Sequence, residues 1–218
     1  MSGCHARTTR NLSSLERRLL GEKVQTIAGL DEVGIGCLAG PVVAAAVVWD
    51  YSLNPSGITD SKLLSKQKRQ ELFCYITAKA RSISVGWASP AEIDAINILA
   101  ASHLAMRRAL HSAELAPDIV IIDGNKALSG ITTRQISVVG GDKTILCVSA
   151  ASIVAKVIRD ELMMFFDRIY PEYGFRSNAG YPTKEHKIAI AQHGVSVIHR
   201  KKYTGVKEFL NRDPLPIL

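Results

Sequence analysis

The chain predicts an α/β protein: a five-stranded sheet with helices packed around it and a small helical segment at its C-terminal end. Three observations carry this prediction. Five apolar, β-branched runs of strand length recur at 26–33, 42–49, 82–87, 119–123 and 133–139. Segments with helical periodicity and recognisable caps lie among them. At 218 residues and 47% hydrophobic content, the chain holds enough apolar material for one sizeable core.

In chain order, residues 1–11 read as a loose polar tail. Ser13 and Glu16 form a capping box, and Gly21 stops the short helix that follows. The first two strands, Thr26–Val33 and Val42–Trp49, flank the glycine-rich turn Gly34-Ile35-Gly36-Cys37-Leu38-Ala39-Gly40-Pro41 and predict an antiparallel pair. Asn54, Pro55 and Gly57 mark a loop, and Ser65 caps a helix over 66–80 that carries Leu72, Ile76 and Lys79 on one side. After the third strand, Ser89-Pro90-Ala91-Glu92 opens a helix predicted to run to His111, with Ile93, Ile96, Ala100, Leu104 and Arg107 sharing a face. The fourth strand ends at Asp123, and Gly140-Gly141 close the fifth. Asp142 is placed to cap a long helix reaching Ile169; its Ser149–Ala155 stretch of small residues predicts close packing on the sheet. Pro171 ends it. Beyond lie loops at Gly174, Gly180 and Pro182, a helix over 183–193 closed by Gly194, and a last helical stretch over 204–211.

Lys and Arg number 27 against 20 acids, a net charge of +7, which favours a polyanionic partner. Between Lys184 and Lys207 there are six basic residues and one acid, Glu185. The four cysteines are scattered, without the spacing of a metal knuckle or redox pair. The first ten residues lack the apolar core of a signal peptide, and the longest apolar run, Pro41–Trp49, is too short to cross a bilayer. A cytoplasmic monomer with no membrane contact is the expectation.

The chemistry concentrates in carboxylates. Asp31, Glu32 and Asp123 sit at predicted strand ends, and Asp160 lies one turn beyond Lys156 on the long helix. Open α/β sheets build their sites at the carboxyl edge of the strands. Four acids converging there repel one another and call for a hard cation with oxygen ligands, Mg²⁺ or Mn²⁺. Two such ions about 4 Å apart support phosphodiester hydrolysis. The spacing of Gly34, Gly36 and Gly40 also fits a nucleotide-binding loop, but Val42, Val43, Val47 and Val48 predict a strand where a dinucleotide fold needs a helix. Lys62, in the loop Asp60-Ser61-Lys62, is a candidate phosphate contact, and Tyr181, in Gly180-Tyr181-Pro182, a candidate stacking platform for a sugar or base. His186, His193 and His199 match no zinc spacing.

These residues resemble, in order and over nearly the whole chain, the ribonuclease HII family of the ribonuclease H-like fold. The resemblance runs through Gly29–Gly34, Leu38–Ala44, Asp60-Ser61-Lys62, Asp123-Gly124-Asn125, Ala150–Val157 with Arg159-Asp160, Gly180–Thr183 with His186, and His199-Arg200. It implies a five-stranded mixed sheet, with a ribonuclease H-like catalytic domain over 12–170 and a basic C-terminal helical segment over 171–218. It implies an endonuclease that hydrolyses the RNA strand of RNA–DNA hybrids. Single ribonucleotides embedded in duplex DNA would be cut on their 5′ side, leaving 3′-hydroxyl and 5′-phosphate ends, as ribonucleotide excision repair requires. The resemblance assigns Asp31, Glu32, Asp123 and Asp160 to catalysis and to Mn²⁺ or Mg²⁺, and Gly34, Ile35, Gly36, Lys62, Asn125 and Tyr181 to the substrate. Ile35 stands where the family usually has Arg, Cys37 where it has Pro, and Lys202-Tyr203 where it has Ser-Phe. A non-catalytic nucleic-acid-binding protein of the same fold is the alternative. No motif assigns a protein partner such as a replication clamp.

Overall fold

All five apolar runs become strands. The computed structural model describes residues 13–22, 24–53, 55 and 57–210. β1 (Ile27–Val33), β2 (Val42–Val48), β3 (Ser82–Ala88), β4 (Ile119–Asp123) and β5 (Arg134–Val138) form one sheet in the order β3-β2-β1-β4-β5. β1 and β2 pair antiparallel around the glycine turn, with Glu32 opposite Ala44, and β3 continues antiparallel on β2. β4 pairs parallel with β1, Leu30 opposite Ile122, and β5 pairs parallel with β4, Asp123 opposite Val138. The carboxyl ends of β1, β4 and β5 therefore share one edge.

The helices are α1 (Ser14–Gly21), α2 (Lys66–Lys79), α3 (Pro90–Ile96), α4 (Ile98–His111), α5 (Gly141–Thr144), α6 (Leu146–Ile169), α7 (Phe175–Asn178) and α8 (Lys184–His193). The capping box at Ser13 and the caps at Ser65 and Ser89 form as their sequences predict, and Thr183, expected inside α8, instead caps it. Alternate strand residues feed two cores. Ile27, Ala45, Val47, Ile119 and Ile121 pack with α1, α2 and α6; Ala28, Leu30, Ala44, Val120 and Ile122 pack with α3 and α4. A third, smaller cluster joins Leu38 and Ala39 of the glycine segment to Met163, Tyr173, Phe175 and Ile190. Among the described residues no helix is long and apolar enough to cross a membrane.

Three elements differ from expectation. The helix expected over 90–111 breaks at Asn97, whose backbone is left-handed (φ 69°) and whose Oδ1 accepts from the N–H groups of Leu99 and Ala100. The break rotates the next helix, so α4 buries Ala101, Ser102, Ala105, Met106 and Ala109 rather than the face containing Ala100, Leu104 and Arg107. The helix expected from Asp142 is interrupted by extended Ile145, and Asp142 caps nothing: it lies within α5, whose N-cap is Gly140. The final helical stretch is reduced to a 3₁₀ turn at Lys207–Phe209. The tail over 1–11, Asn54 of the predicted loop and Asn211 lie outside the described residues.

The small residues of α6 do bring it against the sheet. A Cβ placed on Gly29 of β1 would lie 2.2 Å from the Cys147 carbonyl carbon and 2.3 Å from the Val148 nitrogen, both backbone atoms that cannot give way. Gly29→Ala is therefore expected to lower unfolding free energy by about 2–3 kcal/mol, read as a reduced urea midpoint at unchanged slope.

Candidate active site

The pleat of β1 sends neighbouring acids to opposite faces. Asp31 shares the α6 face with Ile27 and Gly29; Glu32 shares the α4 face with Ala28 and Leu30. Asp31 is 5% exposed, and its Oδ1 accepts the Glu32 N–H at 2.8 Å. On the other side it meets the hydroxyl of Ser152 from α6, itself 2.8 Å from the Ser61 hydroxyl. Burial first, then the adjacent Glu32 charge, hold the Asp31 carboxyl well above its usual range, against the Ser152 hydrogen bond. Glu32 faces the Ser102 hydroxyl of α4 and is pushed up to about 7, by burial first and by the charge of Asp123 next. Its Oε2 is buried with no hydrogen-bond partner.

Asp123 closes β4, one residue past the Leu30–Ile122 pair, and so reaches the edge beside β1. Its Oδ1 accepts the Gly141 N–H at 2.7 Å, and burial raises its pKa in spite of that bond. Beside it lies Asp142, 2% exposed, a charge that Asp123 feels. Lys62 reaches this group from the Ser61–Leu63 turn: its Nζ donates to Asp142 Oδ2 at 3.0 Å, while three-quarters of the side chain stays exposed. Partial burial opposes the Lys62 charge, but the Asp142 bond and the acids around it outweigh burial and raise its pKa.

Asp160 is elsewhere. Its two oxygens are taken by Lys156 Nζ at 2.6 Å and Arg69 Nη1 at 3.6 Å. It lies eight residues beyond Ser152, about 12 Å further along the helix axis. The structure thus brings Asp31, Glu32 and Asp123 together with Asp142, and leaves Asp160 in an ion-pair cluster beside Tyr181.

Of these acids Glu32 and Asp123 open on a cleft of about 640 Å³, lined also by Ile35, Asn125, His103 and Lys126. Ile35 is 38% exposed on its rim. Gly34 adopts φ +99°, and a Cβ there would lie 2.3 Å from Arg159 Nε, so only glycine fits; Gly36 opens on free space. The Tyr181 loop is bonded to this segment: the Leu38 N–H donates to the Gly180 carbonyl at 2.8 Å. Lys156 Nζ and the Arg159 guanidinium stand 5.8 and 5.9 Å from the Tyr181 ring centre.

Among the described residues no three His, Cys, Asp or Glu side chains are gathered tightly enough to enclose an ion as they stand. Their proximity shows instead in their raised pKa values, and the donor set suits a hard divalent cation. The buried Glu32 Oε2, without a hydrogen-bond partner and beside two further carboxylates, has the chemistry of a hard-cation donor. Sequence reasoning missed Asp142, Ser102, Ser152, Arg159 and Arg200. For Asp142 a signal existed: Gly140-Gly141-Asp142 directly follows a predicted strand, as Asp123 ends one.

A ribonuclease H-like α/β sheet with acids clustered at its carboxyl edge defines a metal-dependent nuclease. The family model for ribonuclease HII matches residues 28–206. Ribonuclease HII of Shewanella baltica (strain OS155) is 48% identical over 203 residues, covering 91% of this chain and 97% of that protein. The crystal structure of ribonuclease H2 from Pyrococcus horikoshii OT3 superposes with a TM-score of 0.71 at 26% identity, covering 85% of this chain and 97% of that one. The chain of the PCNA:RNase HII complex from Archaeoglobus fulgidus gives 0.69 at 27% identity, covering 82% and 95%. The chain belongs to the ribonuclease HII family and is a metal-dependent endoribonuclease of the ribonuclease H class.

The raised Glu32 pKa makes a signed prediction. Its carboxyl binds a proton more readily when folded (about 7) than at its ordinary value of 4.5. The linked stability is full below about pH 4.5 and is lost as pH rises through 7. Glu32→Gln should therefore raise the melting temperature of metal-free protein by several degrees at about pH 8, with the gain vanishing near pH 4. A gain of equal size at both pH values would contradict this assignment.

Proposed function

We propose that this chain cuts the RNA strand of RNA–DNA hybrids, and the 5′ side of single ribonucleotides in duplex DNA, using Asp31, Glu32, Asp123 and Asp142 as its carboxylate set. The observation that carries this reading is the shared sheet edge: three of these acids have raised pKa values, and Asp142 stands against Asp123. Asp142 replaces the expected Asp160, whose carboxylate is already paired with Lys156 and Arg69.

Asp31, Glu32, Asp123 and Asp142 would hold Mg²⁺ or Mn²⁺. When bound, such an ion polarises a phosphoryl oxygen and lowers the pKa of water. The chain's own residues do the rest. Ser152 and the Glu32 N–H fix the Asp31 carboxylate, and the Gly141 N–H fixes that of Asp123. Lys62, largely exposed beyond its bond to Asp142, presents its ammonium to a substrate phosphate. Asn125 and Lys126 line the cleft and offer further donors to the backbone. The Gly34–Gly36 backbone approaches the ribose, whose 2′-hydroxyl alone separates RNA from DNA there. Tyr181, 37% exposed and flanked by two cations, stacks at the junction between ribo- and deoxyribonucleotide. The single-ribonucleotide substrate, the ion and these residue roles together constitute the proposal.

The discriminating experiment uses a duplex carrying one ribonucleotide, incubated with Mg²⁺ and separately with Mn²⁺. Asp142→Asn is expected to reduce kcat on the order of 10²-fold or more, and Asp160→Asn to reduce it far less. The reverse ranking would return Asp160 to the site, and no cleavage by the unaltered protein with either ion would sink the reading.

A further inference from the structure

The backbone of the glycine segment is held from behind. Arg200 is fully buried, and its guanidinium donates to the carbonyls of Gly34 (Nη2, 2.6 Å), Ile35 (Nη1, 2.8 Å) and Gly40 (Nε, 3.1 Å). The Tyr203 hydroxyl adds a second donor to the Ile35 carbonyl at 3.3 Å, and the tyrosine ring centre lies 5.2 Å from the guanidinium. Among the described residues no carboxylate takes part in this cluster: the buried charge is spread over three carbonyl oxygens.

Peptide planarity gives this grip a directional consequence. In a trans peptide the C=O and N–H point in opposite directions. The Gly34 carbonyl shares its peptide with the Ile35 N–H, and the Ile35 carbonyl with that of Gly36. Drawing both carbonyls onto Arg200 turns both N–H groups away from it. Ile35 and Gly36 are both exposed, and Ile35 borders the cleft that holds Glu32 and Asp123. Among the described residues neither N–H donates to a protein acceptor. Two adjacent donors are thus aimed outward at the cleft rim by one buried cation.

We propose that Arg200, assisted by Tyr203, is the positioning residue for ribose selectivity: by fixing the carbonyls of Gly34 and Ile35 it aims the Ile35 and Gly36 N–H groups at the 2′-hydroxyl of the substrate. The inference rests on the reading that this segment approaches the ribose. It assigns selectivity to the direction of two peptide groups and not to the side chain at position 35. A guanidinium is required, because the ammonium of lysine cannot reach three carbonyls in one planar fork. Tyr203→Phe removes one donor and leaves the ring, so it tests the same grip with little burden on folding.

The experiment measures dissociation constants, without divalent metal, for a duplex with one ribonucleotide and for the all-DNA duplex of identical sequence. kcat and KM on the first are then measured with metal, and melting temperature throughout. Arg200→Lys is expected to lower the ribose preference by about 10-fold and Tyr203→Phe by about threefold, with all-DNA affinity nearly unchanged and KM raised more than kcat falls. A merely structural role would weaken both duplexes alike or shift only the melting temperature, and that result overturns the assignment. If Arg200→Lys does not fold, Tyr203→Phe decides alone, and an unaltered preference in it counts against the proposal. An unaltered protein with no ribose preference overturns the parent reading and this one together; a preference that survives both variants overturns only the roles of Arg200 and Tyr203.

Discussion

The contact on which the rest depends is the passage of α6 across β1 at Gly29. With no side chain between them, helix and strand backbones touch, and the first turns of α6 are drawn down onto the sheet edge. Every residue from Leu146 to Ala155 is buried there. That proximity lets Ser152 reach Asp31. It also lets the Ser149 hydroxyl donate to the Asp142 carbonyl at 2.7 Å, tying the short helix α5 to the longer one. One glycine thus sets the positions of groups touching two of the clustered acids. A side chain at Gly29 would lift α6 and loosen both contacts at once.

A second constraint joins the C-terminal segment to the cleft. Arg159, fully buried on α6, donates to the carbonyls of Pro41 (3.0 Å), Ala39 (3.1 Å) and Ala179 (2.9 Å), so it spans the glycine segment and the loop that carries Tyr181. A histidine pair supports the same loop. The Ser196 N–H donates to His199 Nδ1, which places the His199 proton on Nε2, facing His186 Nε2 at 3.1 Å. His186 Nδ1 is then the protonated atom and donates to the Tyr181 carbonyl at 2.9 Å. Burial first, and the neighbouring His186, hold His199 down to about 3, so the chain of bonds stays neutral at physiological pH and keeps one direction. The C-terminal residues therefore hold in place the loop that carries Tyr181, the stacking contact proposed above.

How much of this was legible follows from what each feature depends on. Asp31, Glu32 and Asp123 stand out because each ends an apolar strand, where a carboxylate is costly without a use. The caps at Ser13, Ser65 and Ser89 depend on neighbours three residues away and were readable for that reason. Asp142 was overlooked because a Gly-Gly-Asp turn before a helix looks like a cap; its place after a predicted strand was the signal, and the parallel pairing of β5 with β4 puts that turn at the acid edge. The periodicity that set Asp160 above Lys156 was sound, since the two are ion-paired, but the same helix carries that pair away from Asp31. The break at Asn97 needs a left-handed residue that propensity does not announce, and it shifted the buried face of α4. Arg159 and Arg200 could not be read as core residues, because long-range carbonyls alone make their burial tolerable.

The acid cluster and the arginine cluster place opposite demands on the fold. Along one edge, carboxylates with raised pKa values are held together, with a Glu32 oxygen left unpartnered. That arrangement costs stability, and only a site that uses negative charge accounts for its presence. Against the glycine segment, two guanidinium groups from distant parts of the chain are buried with their charge spread over backbone carbonyls. The glycine segment lies between these opposite charges and has no charge of its own. Its peptides are oriented by the arginines behind it and exposed toward the acids in front. Such a segment can present N–H donors without long side chains, which is why an isoleucine at its tip is compatible with the cleft it borders: the directional information resides in the peptides, and Ile35 contributes an apolar rim.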